Sequence, residues 1–395
     1  MLRVTPFHKR TSALCEPYNW RRWSGYITAG SYELTHDREY WAIRNSAALF
    51  DVSPLFKYLI TGQDAARLLD RVVTRNVGRS AVGQVLYTPW CDGEGKVIDD
   101  GTVSRLGEQT FRVTAADPNL GWFHDNALGL NVHIEDVSDA TAALSLQGPN
   151  ARCVLNRVSK SPLDGVKYFR LIDTKVGNLP VTISRTGYSG DLGYEIWTEA
   201  KNAERLWDAL MEAGNDYGLT PAGILALDMA RVEAGLLLID VDYVSARKAR
   251  IESQKSSPLE LGLGWAVSFD KENFNGRKAL LKEKERGSSW QFVGIEIEWE
   301  SLEEVYGEFG LPPQVPYTAW RASTPIYVEG VQVGYASSGC WSPLLKKYIA
   351  LAHLHAGHAR PGTSVMMEVT AEHQRKQARA RVVETPFFNP ERKRA

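Results

Sequence analysis

An order of strand, helix and then several strands occurs twice in the first two-thirds of this chain and then stops. That alternation restricts the fold more than any single motif. The run FDVSPLFKYLITG (Phe50–Gly62) reads as a strand. It leads into a helix over Asp64–Thr74, with Asp64 at the positive end of the helix dipole. Strands follow at Gln84–Cys91, Val97–Leu106 and Thr110–Ala116, the first two joined by a DGEGK turn. LGWFHDNALG reads as a helix and His133–Gly148 as two more strands. The pattern reopens with a helix at Pro149–Val158, which has Pro near its first turn. Strands LPVTISRTGYSG and Gly193–Ala200 come next, then the helices NAERLWDALMEAGNDYG and Ala222–Gly235. No exact internal repeat accompanies this symmetry of two α+β halves. Upstream, Tyr40, Ile43, Ala47 and Phe50 have helical spacing over Glu39–Phe50. From about Ser268 strand signals dominate, which predicts a small all-β unit interrupted by a Pro- and Gly-rich loop over Val305–Ser323.

Charge narrows the function. Lys plus Arg number 46 and Asp plus Glu 47, a formal net charge of −1 in 395 residues. A protein whose main work is gripping nucleic acid needs a basic excess, so no nucleic-acid partner is expected. No apolar run is long enough to span a bilayer, so no membrane partner is expected. MLRVTPFHKRTS lacks an apolar signal core, which sets a cytoplasmic expectation. The 4 Cys form no CxxC pair, so neither a zinc site nor a disulfide framework is expected. His353, His355 and His358 lie close together in sequence, but two of them alternate on a strand face and the third falls in a loop. Packing or surface roles account for them better than a metal.

No phosphate-binding glycine loop, GxSxG elbow or HExxH helix is present. Three other segments stand out. VIDDGTV places Asp99 and Asp100 inside a Val/Ile strand, where Asp is disfavoured. Because strand side chains alternate, one carboxylate faces each way. One of them therefore faces a pocket or the interior, unless the strand is a solvated edge. In GYSGDLGYEIW, three glycines feed a strand in which Glu195 points away from Tyr194 and Ile196. If buried, Glu195 needs donors, and two adjacent N–H groups such as a pterin edge would meet it bidentately. If exposed, it is an ordinary outer-face acid. In ALDMARVEAG, Arg231 and Glu233 lie two apart on a helix and do not face each other, so each pairs with neighbouring structure.

These segments in this order resemble the folate-binding glycine-cleavage T-protein family. That family includes aminomethyltransferases, tetrahydrofolate-dependent demethylases and the folate domains of dimethylglycine and sarcosine oxidising enzymes. The likeness runs through TPFH (Thr5–His8), AIRNSAALFDVS (Ala42–Ser53), GQVLYTPWCDGEGKVIDDGTV (Gly83–Val103) and LQGP (Leu146–Pro149). It continues through RTGYSGDLGYEIW (Arg185–Trp197), DMARVEAGLLL (Asp228–Leu238), PLELGLGWAV (Pro258–Val267), FNGRKAL (Phe274–Leu280) and SSGCWSPLLKKYIALAHL (Ser337–Leu354). The resemblance implies an α+β, three-domain clover-leaf ring. Its parts are a first folate-binding domain over 1–145, a second over 146–267 and a C-terminal β-barrel or jelly-roll-like domain over 268–395. Tetrahydrofolate would occupy the central channel. By position Asp100 matches the family's catalytic carboxylate, Glu195 its pterin-edge acid and Tyr87 an aromatic of the pterin slot. Arg392 falls near a position that approaches the folate tail.

The chain also departs from the aminomethyltransferase pattern. Leu227 stands where those enzymes carry Arg, Pro54 and Leu55 replace His and Met, and an Asn common there falls near Ala115 and Ala116. The N-terminal segment NWRRWSGYITAGSY is also different. The folate slot reads as kept and the donor side as rebuilt. That favours a small N-, S- or O-methylated donor, with Trp20, Trp23, Tyr26, Asp240, Asp242 and Tyr243 as candidate substrate-binding residues. The first reading is a demethylase or methyltransferase that delivers a methyl or methylene group to tetrahydrofolate. The alternatives are a glycine-cleavage aminomethyltransferase and a non-catalytic folate-binding protein. LLLIDVDY replaces the KGCYxGQE stretch that marks the last of these. A redox or corrinoid partner protein that prepares the substrate stays open.

Overall fold

The computed structural model describes residues 2–395. Two antiparallel-dominated sheets, a closed barrel and a small N-terminal sheet make up the fold. The five-stranded sheet has the order Val85–Cys91, Val97–Gly107, Thr110–Ala115, Phe56–Thr61, His133–Asp136. Its Tyr58, Ile60, Val103, Phe111 and Val113 pack against Leu68, Leu69 and Val72 of helix Ala65–Val72 and Phe123 of helix Leu120–Asn126. Burying each such apolar side chain contributes about 1.5–3 kcal/mol. The six-stranded sheet has the order Leu171–Val176, Leu179–Ser184, Gly193–Glu199, Thr141–Gln147, Ala47–Asp51, Leu219–Pro221. Leu144, Ile183, Tyr194 and Ile196 pack under helices Ala151–Val158 and Ala203–Gly214. Each sheet thus has one face covered by helices. The other faces meet, since the Arg112 guanidinium of the first sheet lies 4.1 Å over the Trp197 ring of the second.

The barrel closes through Trp290–Ile297, Lys347–His355, Val331–Ser342, Thr324–Val328, Ser364–Ala371 and Gln374–Val383. It answers the expected all-β unit. Helix Trp299–Gly307 occupies the start of the segment expected to be a loop. Its Leu302 joins the barrel core, and Val305 and Tyr306 pack against Ala371.

Two further differences from the sequence expectation share one cause. The helix expected over Glu39–Phe50 ends at Asn45, and Ala47–Asp51 is a strand. That strand pairs with Thr141–Gln147 on one side and Leu219–Pro221 on the other, so Phe50 lies opposite Ser145. Ala47, Ala48, Leu49 and Phe50 are all buried, and a buried backbone must pair on both edges. Long-range pairing therefore overrides the helical spacing. It also makes the second sheet discontinuous in sequence. The first sheet, residues 56–136, is inserted between two strands of the second, and the 145/146 boundary falls inside a strand.

Among the described residues no helix is long and apolar enough to cross a membrane. Of the three histidines, His353 is buried against Tyr335 and Phe292, and His355 stacks on Trp290.

Candidate active site

Strand parity puts Asp99 and Asp100 on opposite faces of Val97–Gly107. Asp99 points under the sheet and accepts the backbone N–H of Asp100 at 2.8 Å, that of Asp117 at 3.0 Å and the Asn119 amide at 2.8 Å. It latches the turn after Thr110–Ala115. Asp100 points the other way. Its Oδ2 accepts the Tyr87 hydroxyl at 2.8 Å and its Oδ1 accepts the Tyr243 hydroxyl. Gly101 permits the close pairing beside it, because a Cβ there would lie 1.9 Å from the Thr114 carbonyl oxygen.

Asp100 and Tyr87 keep partial contact with water while protein surrounds them, the situation of a narrow cleft. Burial pushes the Asp100 carboxyl above the usual carboxylate range, against the lowering effect of the two phenol donors. Burial and the Asp100 charge push both phenols well up, so they stay protonated donors. Trp265 stacks on the far side of Tyr87 at 5.9 Å and is largely exposed.

Glu195 comes from the second sheet. It sits opposite Ser145 and Ser184, on the face away from Tyr194 and Ile196. Its Oε2 accepts the Thr186 hydroxyl at 2.5 Å. The glycines before it are explained by Gln147, whose amide fills the loop. A Cβ at Gly193 would lie 2.1 Å from Gln147 Oε1, and one at Gly187 2.2 Å from the same amide. Burial raises the Glu195 carboxyl, while Thr186 and the positive charge of Arg112 pull it down.

Sequence reasoning missed Arg112. It lies on the same face of its strand as Thr114, opposite Ser104 and Leu59. Burial brings its guanidinium down to about 10, against the raising effect of Glu195 and then Asp173. The signal was present: an arginine at the centre of TFRVTAA obeys the same parity argument as Asp100.

The Arg231 and Glu233 of ALDMARVEAG pair with neighbouring structure, as expected. Arg231 Nε donates to Asp228 at 2.8 Å and Nη1 to Asp242 at 2.5 Å. Glu233 accepts Arg44, Tyr40 and the barrel residue Ser342. This helix therefore ties both sheets' surroundings to the barrel behind the cleft.

The six residues expected to bind the donor are not brought together. Trp20 packs at the edge of the second sheet's core, 5.2 Å from His8. Tyr26 bonds to Asp139 under Arg3. Asp240 is exposed and held by Lys248 at 2.7 Å, and Asp242 is buried in its bonds to Arg231, Ser337 and Ser338. Tyr243 joins the site as a donor to Asp100. Trp23 reaches a separate crevice, lined by Tyr32, Phe50, Asp51, Thr28 and Leu227. Arg392 grips Asp191 at 2.7 and 2.8 Å and the Arg44 carbonyl at 3.2 Å, which pins the C-terminal tail to the glycine loop that feeds Glu195.

Residues 5–271 match the model of the GCVT N-terminal domain, and residues 310–389 match that of the glycine cleavage T-protein C-terminal barrel domain. An aminomethyltransferase of Halothermothrix orenii is 37% identical over 89% of this chain and 90% of its own. A trimethylamine-oxide aldolase of Ruegeria pomeroyi is 33% identical over 100% of this chain and 48% of its own. The crystal structure of glycine cleavage system aminomethyltransferase T from Bartonella henselae covers 98% of this chain and 99% of its own, with a TM-score of 0.83 at 23% identity. That likeness establishes the fold.

Proposed function

The chain belongs to the glycine-cleavage T-protein family, and from that premise we propose that it transfers a one-carbon unit from an amine-bound donor to tetrahydrofolate, with Asp100 at the reacting end and Glu195 at the pterin edge. Members of this family use tetrahydrofolate. The cleft fits such a group on two counts. Its carboxylates lie on facing sheets with lone pairs to spare, and the buried Arg112 keeps two nitrogens without a protein partner. When bound, tetrahydrofolate supplies the amine that receives the carbon.

One observation carries the reading: Asp100 is held by a phenol on each oxygen and has no cation bonded to it. An anion fixed this way stabilises positive charge that develops on a neighbouring amine, without reorganising as it appears. The raised carboxyl is also nearer the pH at which it can take the amine's proton. Tyr87 and Tyr243 keep the carboxylate aimed. Glu195 accepts two N–H donors and orients rather than reacts.

The relatives support an aminomethyl group as the unit transferred. One observation favours a second reading, transfer from a small methylated amine. Leu227 stands where the pattern the sequence resembles has Arg, and it lines a crevice with Trp23, Tyr32 and Phe50 beside the half-buried Asp51. Aromatic walls with one carboxylate suit a methylated ammonium. The 33% identity to a trimethylamine-oxide aldolase points the same way.

Calorimetric titration of tetrahydrofolate into the wild type, Glu195→Ala and Asp100→Asn tests the common core. Binding by the wild type, weakened in Glu195→Ala and kept in Asp100→Asn with the chemistry lost, supports it. No binding by the wild type overturns it. Supplying an aminomethylated lipoyl carrier or methylated amines, and reading the folate product by mass, separates the two donor readings.

A further inference from the structure

The cleft holds a charge pair that is not paired with itself. Arg112 is only 6% exposed, and its Nε and Nη2 are buried with no hydrogen-bond partner among the described residues. Its guanidinium rests on Trp197, two residues beyond Glu195 on the same face of the same strand. Glu195 is the strongest charge acting on Arg112, yet Glu195 spends its bond on Thr186. A buried cation beside a half-buried anion, each with open bonding positions, suits a bridging group with donors for one and an acceptor for the other.

The register says where that group lies. Asp100 and Ser104 share a face of one strand, and Arg112 is directly opposite Ser104. Four residues of strand separate Asp100 from that position, about 13 Å. A flat bicyclic heterocycle fits between Asp100 and the Arg112–Glu195 pair once side-chain reach is subtracted.

We infer that Arg112 and Glu195 together read a 2-amino-4-oxo-pyrimidine edge: Glu195 accepts from the ring N–H and the 2-amino group, and Arg112 donates to the 4-oxo oxygen. The inference rests on the folate reading above and deepens it. Arg112 becomes a specificity residue that selects a 4-oxo over a 4-amino pteridine, because an amino group presents hydrogens where the guanidinium needs an acceptor. Its stacking on Trp197 fixes the plane of the fork, which a lysine could not reproduce.

The test is calorimetric titration of tetrahydrofolate and of 4-amino-4-deoxytetrahydrofolate into the wild type, Arg112→Met and Arg112→Lys. The wild type should favour the 4-oxo ligand by at least ~30-fold, the scale of one charge-assisted hydrogen bond. Both variants should lose affinity for tetrahydrofolate and show a ratio at least ~10-fold smaller. Because the 4-amino ring also lacks the N–H that Glu195 accepts, the drop in the ratio on replacing Arg112, not the wild-type ratio alone, assigns the selection to Arg112. A wild type that binds both ligands equally overturns the inference. So does Arg112→Met binding tetrahydrofolate as the wild type does, the result expected if Arg112 serves a donor's carboxylate. In both cases the folate reading survives. A wild type that binds neither ligand overturns both.

Discussion

Arg231 Nη1 lies 2.5 Å from Asp242, and both side chains are closed to water. Asp242 also accepts Ser337 at 2.6 Å, Ser338 at 2.7 Å and the Leu238 N–H at 2.9 Å, and its carbonyl meets His353 Nε2 at 2.5 Å. Residue 242 is thus fixed from every side, and residue 243 is aimed as a consequence. Its hydroxyl reaches Asp100. The acidic helix does not enter the cleft, but it sets the phenol that does.

Replacing Arg231 therefore acts on stability first. Arg231→Met leaves Asp242 buried without its cation, a loss of about 3–5 kcal/mol for a broken buried pair, while Asp228 keeps Arg321 at 2.7 Å. Urea unfolding checks this through its midpoint. Arg231→Lys should recover only part of the loss, because a lysine cannot serve both carboxylates in the fixed fork.

Removing the phenol itself acts on the pH profile. The Tyr243 hydroxyl favours the ionised Asp100, so its loss raises the carboxyl further. Activity that needs the carboxylate is lost as pH falls through that value, so the acidic limb moves to higher pH. One hydrogen bond to a charged group corresponds to about one to two pH units. Tyr243→Phe should show the shift in kcat/KM with tetrahydrofolate binding retained. An unmoved limb would show that Asp100 is not the group that titrates.

The parity of strands made much of this cleft legible in advance. Asp99 and Asp100 had to face opposite ways, and Glu195 had to oppose Tyr194 and Ile196. Arg112 followed from the same rule but was passed over as one charge among 46 basic residues. The rest depended on contacts distant in sequence. Trp20, Trp23 and Tyr26 fall on a hairpin, Trp20–Trp23 with Tyr26–Ala29, whose side chains alternate between different cores. Asp240 and Asp242 diverge because Asp240 takes a left-handed backbone at φ 63° and turns outward. The strand Ala47–Asp51 hid behind helical spacing because its partners lie roughly a hundred or more residues away.

Lys57 gives a prediction about stability and pH. It is fully buried and donates to the carbonyls of Ser53 at 2.7 Å and Leu55 at 2.8 Å. Burial brings its ammonium down to about 8 from 10.5. Between those values the unfolded chain holds a proton the native chain has released, so unfolding becomes harder as pH rises. The gain from this residue is on the order of 3 kcal/mol across the window. Denaturation from pH 7 to 9.5, below the range where tyrosines ionise, should show that rise in the wild type. Lys57→Met should cut it to roughly half. Lys271, also brought down to about 8, supplies a second slope of the same sign that the substitution leaves in place.

The donor side can be tested at Leu227, where the pattern the sequence resembles has Arg. Leu227 is 9% exposed and shares its crevice with Trp23, Phe50 and Asp51. Asp51 already accepts Thr5 at 2.5 Å and the Ser53 N–H at 3.0 Å. Leu227→Arg would place a guanidinium against that carboxylate and fill the aromatic crevice with a fixed cation. A methylated ammonium donor would then meet like charge where it needs an anion. If such a donor is used, turnover should fall by more than about tenfold, the cost of one desolvated cation–π contact with its counter-ion. Tetrahydrofolate affinity should stay within about threefold, because Glu195 and Arg112 touch neither the new residue nor Asp51. A gain in transfer from an aminomethylated carrier would favour the aminomethyl reading over the methylated-amine one. The crevice would then be an aminomethyltransferase site that had lost its arginine, with the folate end of the cleft unchanged.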